Sequence, residues 1–394
     1  MRLRHLIMLV ATALAGFTAQ AQETVRIGAP LALTGGLADE GKKQQVAYDM
    51  WLKRVNAAGG IAVGGKKLKV ELITYDYQSD EKRAQQIAER LITQDKVDFL
   101  TSPFGSGHTK VVAGVAERYG VPVMASVASS ESVFNQGYKY LFGTLAPNGG
   151  IVQNMSALFT RQIPGVKKIA ILGREDVFPR AMAAEMKKAA ETAGLEVVYS
   201  DFYPVGTLDH AAALARIKAA APQWIFITGY TQDLILARKQ MADVKLTAPI
   251  VTMITGPSYR EFIDGLGKLA EGVTSASWWH HSLTYKSDDV FGSTAAFYKE
   301  FVDREKKDPD YVHASAAAAL IALEKAIGKA GSLDRAKVRD ALASLDIMTF
   351  YGPIKFGPNG MNGGRQLPII QVTGGKVVPL FPEAIKAGNL APMP

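Results

Sequence analysis

The sequence contains no cysteine among its 394 residues. This absence excludes disulfide bonds, thiolate metal sites, a cysteine nucleophile and the lipid-modified cysteine of a bacterial lipoprotein. After residue 21 no uncharged apolar run approaches the roughly 20 residues that a membrane-spanning helix needs. The 45 Lys and Arg residues are scattered along the chain and form no basic face interleaved with aromatic residues. The sequence therefore predicts neither an integral membrane protein nor a nucleic-acid-binding protein.

Nucleotide and metal motifs are also missing. The glycine pairs Gly35-Gly36, Gly59-Gly60 and Gly64-Gly65 fit neither GxGxxG after a strand nor GxxxxGK(S/T). His280 and His281 are adjacent, so on a strand their side chains would diverge, and no nearby group completes a familiar metal site. We expect no cofactor and no metal.

The first 21 residues have the order of a secretion signal. Arg2 and Arg4 precede an apolar run from Leu6 to Ala15, and Ala19-Gln20-Ala21 supplies the small residues of a cleavage site. Cleavage before Gln22 would release the mature protein into the periplasm. A short membrane anchor that stays attached is the alternative interpretation of the same segment.

The rest of the chain alternates between short β-branched runs and helical patterns, which is typical of βαβ units and parallel sheets. The predicted strands are Val25–Leu31, Leu68–Tyr75, Val97–Ser102, Val121–Ser126, Lys168–Leu172, Glu196–Phe202, Trp224–Thr228, Ile250–Thr255 and Gly272–Trp278. The predicted helices are Gly41–Asn56, Glu81–Gln94, Thr109–Tyr119, Gly150–Gln162, Pro179–Ala193, His210–Ala220, Gln232–Ala242, Thr294–Lys306 and His313–Lys329. Ala47, Met50, Trp51 and Val55 form an apolar stripe, so Trp51 is predicted to lie in the core. Two such series predict two doubly wound sheets, followed by two helices and a short β-rich tail.

Two turns rich in hydroxyl groups follow neighbouring predicted strands. Residues 102–109 (SPFGSGHT) follow one strand, and residues 126–130 (SVASS) follow the next. The carboxyl ends of parallel strands lie at one edge of a sheet, where helix N-termini carry partial positive charge. Each turn alone is also explained by ordinary helix capping. Together they predict a site for a small carboxylate.

A serine hydrolase is the alternative that the first turn suggests. Gly105-Ser106-Gly107-His108 places a serine between glycines and beside a histidine. The nucleophile elbow, however, requires glycine two residues before and two after the serine, where Phe104 and His108 stand. We therefore expect a binding protein and not an enzyme.

Several segments, taken in order and with their spacing, resemble the leucine/isoleucine/valine-binding family of type I periplasmic solute-binding proteins of ABC importers. They cover nearly the whole mature chain and are Val25 to Leu31, Gly35, Gly41, Asn56 to Ile61, Tyr75-Asp76, Gly120 to Val123, Ala270 to Val273 and Tyr351 to Phe356. The resemblance implies two α/β lobes, each a doubly wound parallel sheet, joined by a three-segment hinge. It assigns residues 22–145 and 279–350 to lobe I and residues 146–278 and 351–394 to lobe II. It also implies a monomer that delivers a small carboxylate to an ABC permease in the inner membrane, with a ligand-sensing receptor as the alternative.

The resemblance also implies the ligand-binding positions. In this family a serine after the third strand of lobe I, and backbone and hydroxyl groups after the fourth, bind the ligand carboxylate. Aromatic residues follow two strands of lobe II, and the first loop ends in another. The matching residues are Phe104, Ser106, Ala128, Ser129, Ser130, Phe178, Tyr230 and Glu40. Phe178 and Glu40 depart from the family pattern, and Glu40 either lines the cleft or lies on an exposed lip.

A third departure concerns the ligand. Amino-acid binders of this family place a glutamate after the fourth strand of lobe II to neutralise the ligand ammonium. The matching position here is Ile254 or Ser258, neither of which is acidic. Unless Glu40 or Glu175 substitutes, we expect α-amino acids to bind poorly and aromatic or aliphatic acids to be favoured. Of Trp278 and Trp279, at most one is expected to face the cleft.

Overall fold

The computed structural model describes residues 24–363 and 365–394. The predicted signal peptide lies outside these residues. The helices are α1 Ala38–Ala57, α2 Glu81–Thr93, α3 Ser106–Tyr119, α4 Glu131–Phe134, α5 Asn148–Gln162, α6 Val177–Thr192, α7 Ala211–Ala220, α8 Thr231–Asp243, α9 Arg260–Leu266, α10 Thr294–Glu305, α11 Tyr311–Ala330 and α12 Arg335–Ala343.

The strands alternate with these helices through the first two thirds of the chain. They are β1 Val25–Leu31, β2 Ile61–Val63, β3 Lys66–Leu68, β4 Val70–Asp76, β5 Phe99–Thr101, β6 Val123–Ala125, β7 Leu141–Gly143, β8 Lys168–Arg174, β9 Glu196–Tyr203, β10 Trp224–Thr228, β11 Ile250–Ile254, β12 Thr274–Ala276, β13 Asp346–Thr349, β14 Gly352–Lys355, β15 Ile369–Thr373 and β16 Lys376–Phe381.

Two large sheets repeat one topology. The first has the order β4-β1-β5-β6-β7, and all its pairs are parallel. The second has the order β16-β15-β12-β11-β10-β8-β9, in which the five strands β12, β11, β10, β8 and β9 pair in parallel. In each sheet the strand order switches to the other side of the first strand. The switch lies between β1 and β5 in the first sheet and between β8 and β10 in the second. Such switch points open a crevice at the carboxyl ends of the strands.

The β-rich tail has two parts. Strands β15 and β16 add to the second sheet as antiparallel partners of β12, so this sheet is not wholly parallel. Residues 352–363 contact the first sheet instead: Met361 pairs with Gly143, and the Asn362 amide donates a hydrogen bond to the Thr144 carbonyl at 3.1 Å. The resemblance assigned residues 351–394 to lobe II. The first part of that segment, residues 352–363, instead contacts the first sheet.

Most of the predicted elements are present, with informative differences at their ends. The apolar stripe of α1 is buried as predicted, and Trp51 is fully enclosed. The helix α1 begins at Ala38 rather than Gly41, so Glu40 lies inside its first turn. Strand β7 and helix α12 were not predicted.

The strand predicted over residues 272–278 is wrong at its end. Strand β12 stops at Ala276, because the chain there turns into a connection between the two sheets. The following residues are not extended, so His280 and His281 stack with ring centroids 4.2 Å apart instead of diverging.

Glycine ends α1 where the chain must turn sharply. Gly60 has a φ of +110°, and a Cβ added there would lie 2.0 Å from the Leu68 carbonyl oxygen. Only glycine fits that approach to the β2–β3 hairpin. Within the described ranges no helix is both long enough and apolar enough to span a bilayer.

Candidate functional site

The two switch-point crevices face each other across a small cavity. Five aromatic rings line it, belonging to Phe104, Phe178, Tyr230, Trp278 and Tyr311. The other lining residues are Gly105, Val127, Ser129, Leu145 and Thr255. A larger open cleft beside β7, between Tyr138 and Phe356, contains none of the predicted site residues.

The two hydroxyl-rich turns meet, as their positions after β5 and β6 predict. The backbone N–H of Ser130 donates a hydrogen bond to Ser106 Oγ at 3.3 Å, and both residues are fully buried. The Gly105 N–H donates to the Val127 carbonyl at 3.2 Å, which ties the same turns together. The Oγ of Ser130 has no hydrogen-bond partner. Because buried hydroxyls are normally satisfied, this free group indicates a place for a ligand.

Helix α3 adds electrostatic character to the turns. It begins at Ser106, no side chain caps its N-terminus, and no acidic residue lies in its first turn. Its backbone N–H groups and its dipole therefore favour an anion at this end. Gly105 precedes it with a φ of +87°, and a Cβ there would lie 3.1 Å from the Tyr230 hydroxyl oxygen. The second lobe thus packs directly on the start of α3.

The rings of the second lobe close the cavity. Phe178 stacks on Tyr230 with centroids 6.2 Å apart, and Phe104 meets Tyr230 edge-on at 5.5 Å. The Tyr230 hydroxyl is buried without a hydrogen-bond partner, and burial raises its pKa well above the ordinary value. The hydroxyl therefore keeps its proton and remains a donor.

Glu40 is buried at the contact between α1 and α8 and is not on an exposed lip. Its Oε1 accepts a hydrogen bond from Thr231 Oγ1 at 2.7 Å, across the gap between the two lobes. Burial raises the pKa of Glu40, although Lys43 and Thr231 oppose the shift. Glu40 does not line the cavity.

Lys43 joins a second set of contacts between the lobes. Its Nζ lies 2.8 Å from Glu261 on α9 and 2.8 Å from Asp310, which caps α11. Burial lowers the pKa of Lys43, but Asp310, Glu261 and Glu40 outweigh burial, and the pKa is raised. The ammonium is therefore charged and holds the two lobes together in this closed form.

Comparison with known proteins identifies the family. The family model described as "Periplasmic binding protein" matches residues 24–376. The chain belongs to this family. It is 26% identical over 356 residues to the leucine-, isoleucine-, valine-, threonine- and alanine-binding protein of Pseudomonas aeruginosa, covering 90% of this chain and 91% of that one.

Solved structures share the fold of this periplasmic binding protein. The leucine binding protein LivK from Thermotoga maritima superposes with a TM-score of 0.81 at 23% identity, covering 90% of this chain and 97% of that one. An ABC transporter solute binding protein from R. palustris, solved in complex with benzoate, superposes with a TM-score of 0.77 at 20% identity, covering 94% and 97%. The two-lobed fold implied by the resemblance is thus confirmed.

The remaining residues that were predicted to bind the ligand differ in their relation to the cavity. Phe104, Ser129, Phe178 and Tyr230 line the cavity, whereas Ser106 and Ser130 do not line it and are next in the chain to the lining residues Gly105 and Ser129. Ala128 is buried but does not line the cavity, although its neighbours Val127 and Ser129 do. Sequence reasoning left Thr255 and Tyr311 out of the site and did not choose between Trp278 and Trp279. The structure selects Trp278, whose indole N–H donates to the Ala146 carbonyl at 3.0 Å.

The positions considered for an ammonium partner are unsuitable in this binding protein. Ile254 is fully buried at the end of β11, and the Ser258 hydroxyl donates to the Ala276 carbonyl at 3.0 Å. Glu175 is exposed and pairs with Arg180 at 3.1 Å. None of these residues brings a carboxylate to the cavity.

The hydrolase alternative finds no support in the geometry around Ser106. The Nε2 of His108 lies 3.2 Å from the Ser79 carbonyl oxygen, and its Nδ1 has no hydrogen-bond partner. Within residues 24–363 and 365–394, the hydrogen bond to Ser106 Oγ comes from the Ser130 backbone N–H. No histidine among the described residues therefore accepts the proton that a serine nucleophile must lose.

Proposed function

We propose that this protein is the substrate-binding component of an ABC importer and that it encloses a small carboxylate between its two lobes without chemical turnover. The observation that carries the proposal is the junction of the Ser106 and Ser130 turns with the uncapped start of α3, facing a ring-lined cavity. Hydroxyl groups and helix N–H groups bind a carboxylate without needing a basic side chain.

Closure couples binding to transport in this proposal. Thr231 to Glu40 and Lys43 to Glu261 are contacts across the gap that separation of the lobes would break. A ligand that bridges the lobes stabilises that form, and a membrane permease recognises its shape. The periplasmic location, the permease partner and the monomeric state are part of the same proposal.

The relatives support this function. The Pseudomonas aeruginosa relative is named for binding small amino acids, and the R. palustris structure was solved with benzoate. Benzoate and each of these amino acids carry one carboxylate group, and all except threonine carry an apolar group beside it. Binding of a ligand carboxylate at the edge of an apolar cavity is therefore the property to test in this chain.

A thermal-shift screen of the purified protein tests the proposal. We expect at least one small aromatic acid, aliphatic acid or amino acid to raise the melting temperature in proportion to RT ln(1 + [L]/Kd), and to be recovered unchanged. Ser106→Ala should weaken the effect, whereas Ser132→Ala on the exposed side of α4 should not. No stabilisation by any acid in the panel, or release of product from an ester or amide substrate by the wild type but not by Ser106→Ala, would refute it.

A further inference from the structure

We propose that the ligand is a single-ring aromatic monocarboxylate that lacks an α-ammonium group. This inference rests on the proposed function and specifies its substrate class. The carboxylate would lie at the Ser130 turn and the start of α3, and the ring would lie among the aromatic side chains of the cavity.

The cavity wall has the composition that this class requires. Half of its ten lining residues are aromatic, and none carries a charged side chain. The rings of Phe178, Trp278 and Tyr311 come from different parts of the chain and surround one space, with Trp278 lying 6.1 Å from Phe178 and 5.0 Å from Tyr311 between ring centroids. Aromatic rings attract one another in offset and edge-on arrangements beyond the effect of area burial. An aromatic guest gains these contacts, and a branched aliphatic one does not.

The polar groups of the site gather at one end. The Tyr230 hydroxyl lies 3.1 Å from the position that a Cβ on Gly105 would occupy, so it is beside the start of α3. It joins the free Ser130 hydroxyl as a buried donor without a protein partner. The Tyr230 hydroxyl therefore offers a donor at one end of the cavity, next to the turn that carries Ser130, and the remainder of the wall offers rings.

Among the described residues no acidic side chain lines the cavity, and the nearest carboxylate to the first turn of α3 is that of Glu81, whose Oε1 lies 2.5 Å from the position that a Cβ on Gly107 would occupy. The other acidic groups around the cavity are paired. Glu40 accepts the Thr231 hydrogen bond and lies beside Lys43, and Glu261 and Asp310 both pair with Lys43 at 2.8 Å. Asp176 caps α6 by accepting the Val177 N–H at 2.6 Å, and Asp233 pairs with Arg174 at 2.8 Å. An ammonium group buried without a partner costs several kcal/mol. A zwitterionic amino acid is thus disfavoured relative to an aromatic acid that carries no ammonium group.

A box of rings can also bind a quaternary ammonium group, as in choline recognition. Two cations already contact this set of rings from outside the cavity. The Arg174 guanidinium lies 5.0 Å from the Tyr230 ring centre, and Lys43 Nζ lies 3.8 Å from that of Tyr259, which stacks on Tyr311. Both cations are ion-paired, Arg174 with Asp233 and Lys43 with Glu261 and Asp310, so they bring no net positive charge to the rings. Glycine betaine is therefore included among the probes as the test of this alternative.

Calorimetric titration of the purified full chain with matched acids tests this inference. The probes are benzoate, 3-phenylpropionate, cyclohexanecarboxylate, L-leucine and glycine betaine. We expect at least one aromatic acid to bind about 3-fold or more tighter than cyclohexanecarboxylate and about 100-fold or more tighter than L-leucine. L-leucine, glycine betaine or the saturated acid binding as tightly as the better aromatic acid would overturn the inference and leave the proposed function standing. No binding by any probe at millimolar concentration would overturn this inference, and the proposed function too if the wider acid screen is also negative.

A variant pair separates the ring contact from general packing. Phe178→Leu removes a ring from the cavity, so the preference for the aromatic over the saturated acid should fall about 2- to 10-fold. Phe202→Leu is the matched control, because Phe202 lies on β9 outside the cavity and packs under Arg180. The preference should not change in the control. An equal change in both variants, or none in Phe178→Leu, would contradict the assignment of the ring contact.

Discussion

The backbone N–H of Ser130 donates a hydrogen bond to Ser106 Oγ at 3.3 Å, although 24 residues separate them in the chain. The bond joins the turns after β5 and β6, which are adjacent strands of the first sheet. It uses the oxygen of Ser106 as an acceptor and leaves the hydroxyl proton free to donate to a ligand. The turn geometry and the proposed carboxylate grip therefore depend on the same side chain.

Ser106→Ala should lower ligand affinity about 10-fold, because it removes one donor and leaves the Ser130 N–H unpaired, at a cost of about 1–3 kcal/mol. Calorimetric titration measures the affinity. Ser132→Ala, two residues beyond Ser130 and exposed, is the control and should bind like the wild type. Equal affinities for all three proteins would argue that the ligand lies elsewhere.

Gly105→Ala should impair binding more than it impairs folding. The residue has a φ of +87°, and the added Cβ would lie 3.1 Å from the Tyr230 hydroxyl of the opposite lobe. The strained backbone costs about 1–3 kcal/mol, and the contact with Tyr230 opposes closure in addition. Gly137→Ala provides the matched control, since Gly137 has a φ of +79° and open space around its Cβ position. Melting curves and titrations should show both variants less stable, with the additional loss of affinity only in Gly105→Ala.

Thr231→Val should weaken the closed form. It keeps the side-chain shape but removes the 2.7 Å hydrogen bond to Glu40 that crosses between the lobes. Hydrogen bonds to charged groups contribute about 1.5–3 kcal/mol, so affinity should fall about 10- to 100-fold, mainly through faster dissociation. Gln232→Ala removes the exposed contact to Asp39 and should have little effect. Unchanged dissociation rates in stopped-flow fluorescence of Thr231→Val would contradict a role in closure.

The pH dependence of stability should report Asp310. Burial raises its pKa, but Lys43 and His313 outweigh burial and leave the pKa below its ordinary value. A lowered folded-state pKa means that ionised Asp310 stabilises the fold above the unfolded-state pKa near 4, and that this contribution is lost as the pH falls further. Asp310→Asn should therefore lower the melting temperature most near neutral pH. The difference from wild type should shrink below about pH 4.

The control for this series is Asp303→Asn, because Asp303 is exposed and its carboxylate pairs with Lys299 one helical turn earlier. Asparagine also caps helices well, so the start of α11 is preserved in Asp310→Asn. A difference between wild type and Asp310→Asn that stayed constant from pH 3 to pH 7 would show that charge at Asp310 is not the cause.

Local rules predicted that the two hydroxyl-rich turns would meet, and in the structure they do. Ser106 and Ser130 were predicted to meet because parallel strands end at one edge of a sheet, and this rule needs only the order of the strands. Phe178 and Tyr230 came from the family resemblance, which places them after strands of the second sheet. Their approach to within 6.2 Å of each other follows from β8 and β10 being neighbours.

The rest of the site depends on contacts that local rules do not contain. Trp278 follows the chain out of β12, and Tyr311 begins α11 directly after the connection from α10, so neither lies in a strand–turn–helix pattern. Glu40 was ambiguous because α1 was predicted to begin at Gly41. The helix begins at Ala38 instead, and its first turn carries Glu40 inward to Thr231. Such placements are decided by how the two lobes pack, which a single strand or helix does not reveal.

The central claim is that the Ser106 and Ser130 turns hold a carboxylate between two closing lobes. A crystal structure of the protein grown with the tightest-binding acid from the titrations tests it most directly. The account predicts the ligand carboxylate within hydrogen-bonding distance of the Ser130 hydroxyl and the first N–H groups of α3, with the ligand body between Phe178 and Trp278. A ligand bound in another cavity, or bound between the lobes with its carboxylate turned away from both serines, would contradict it.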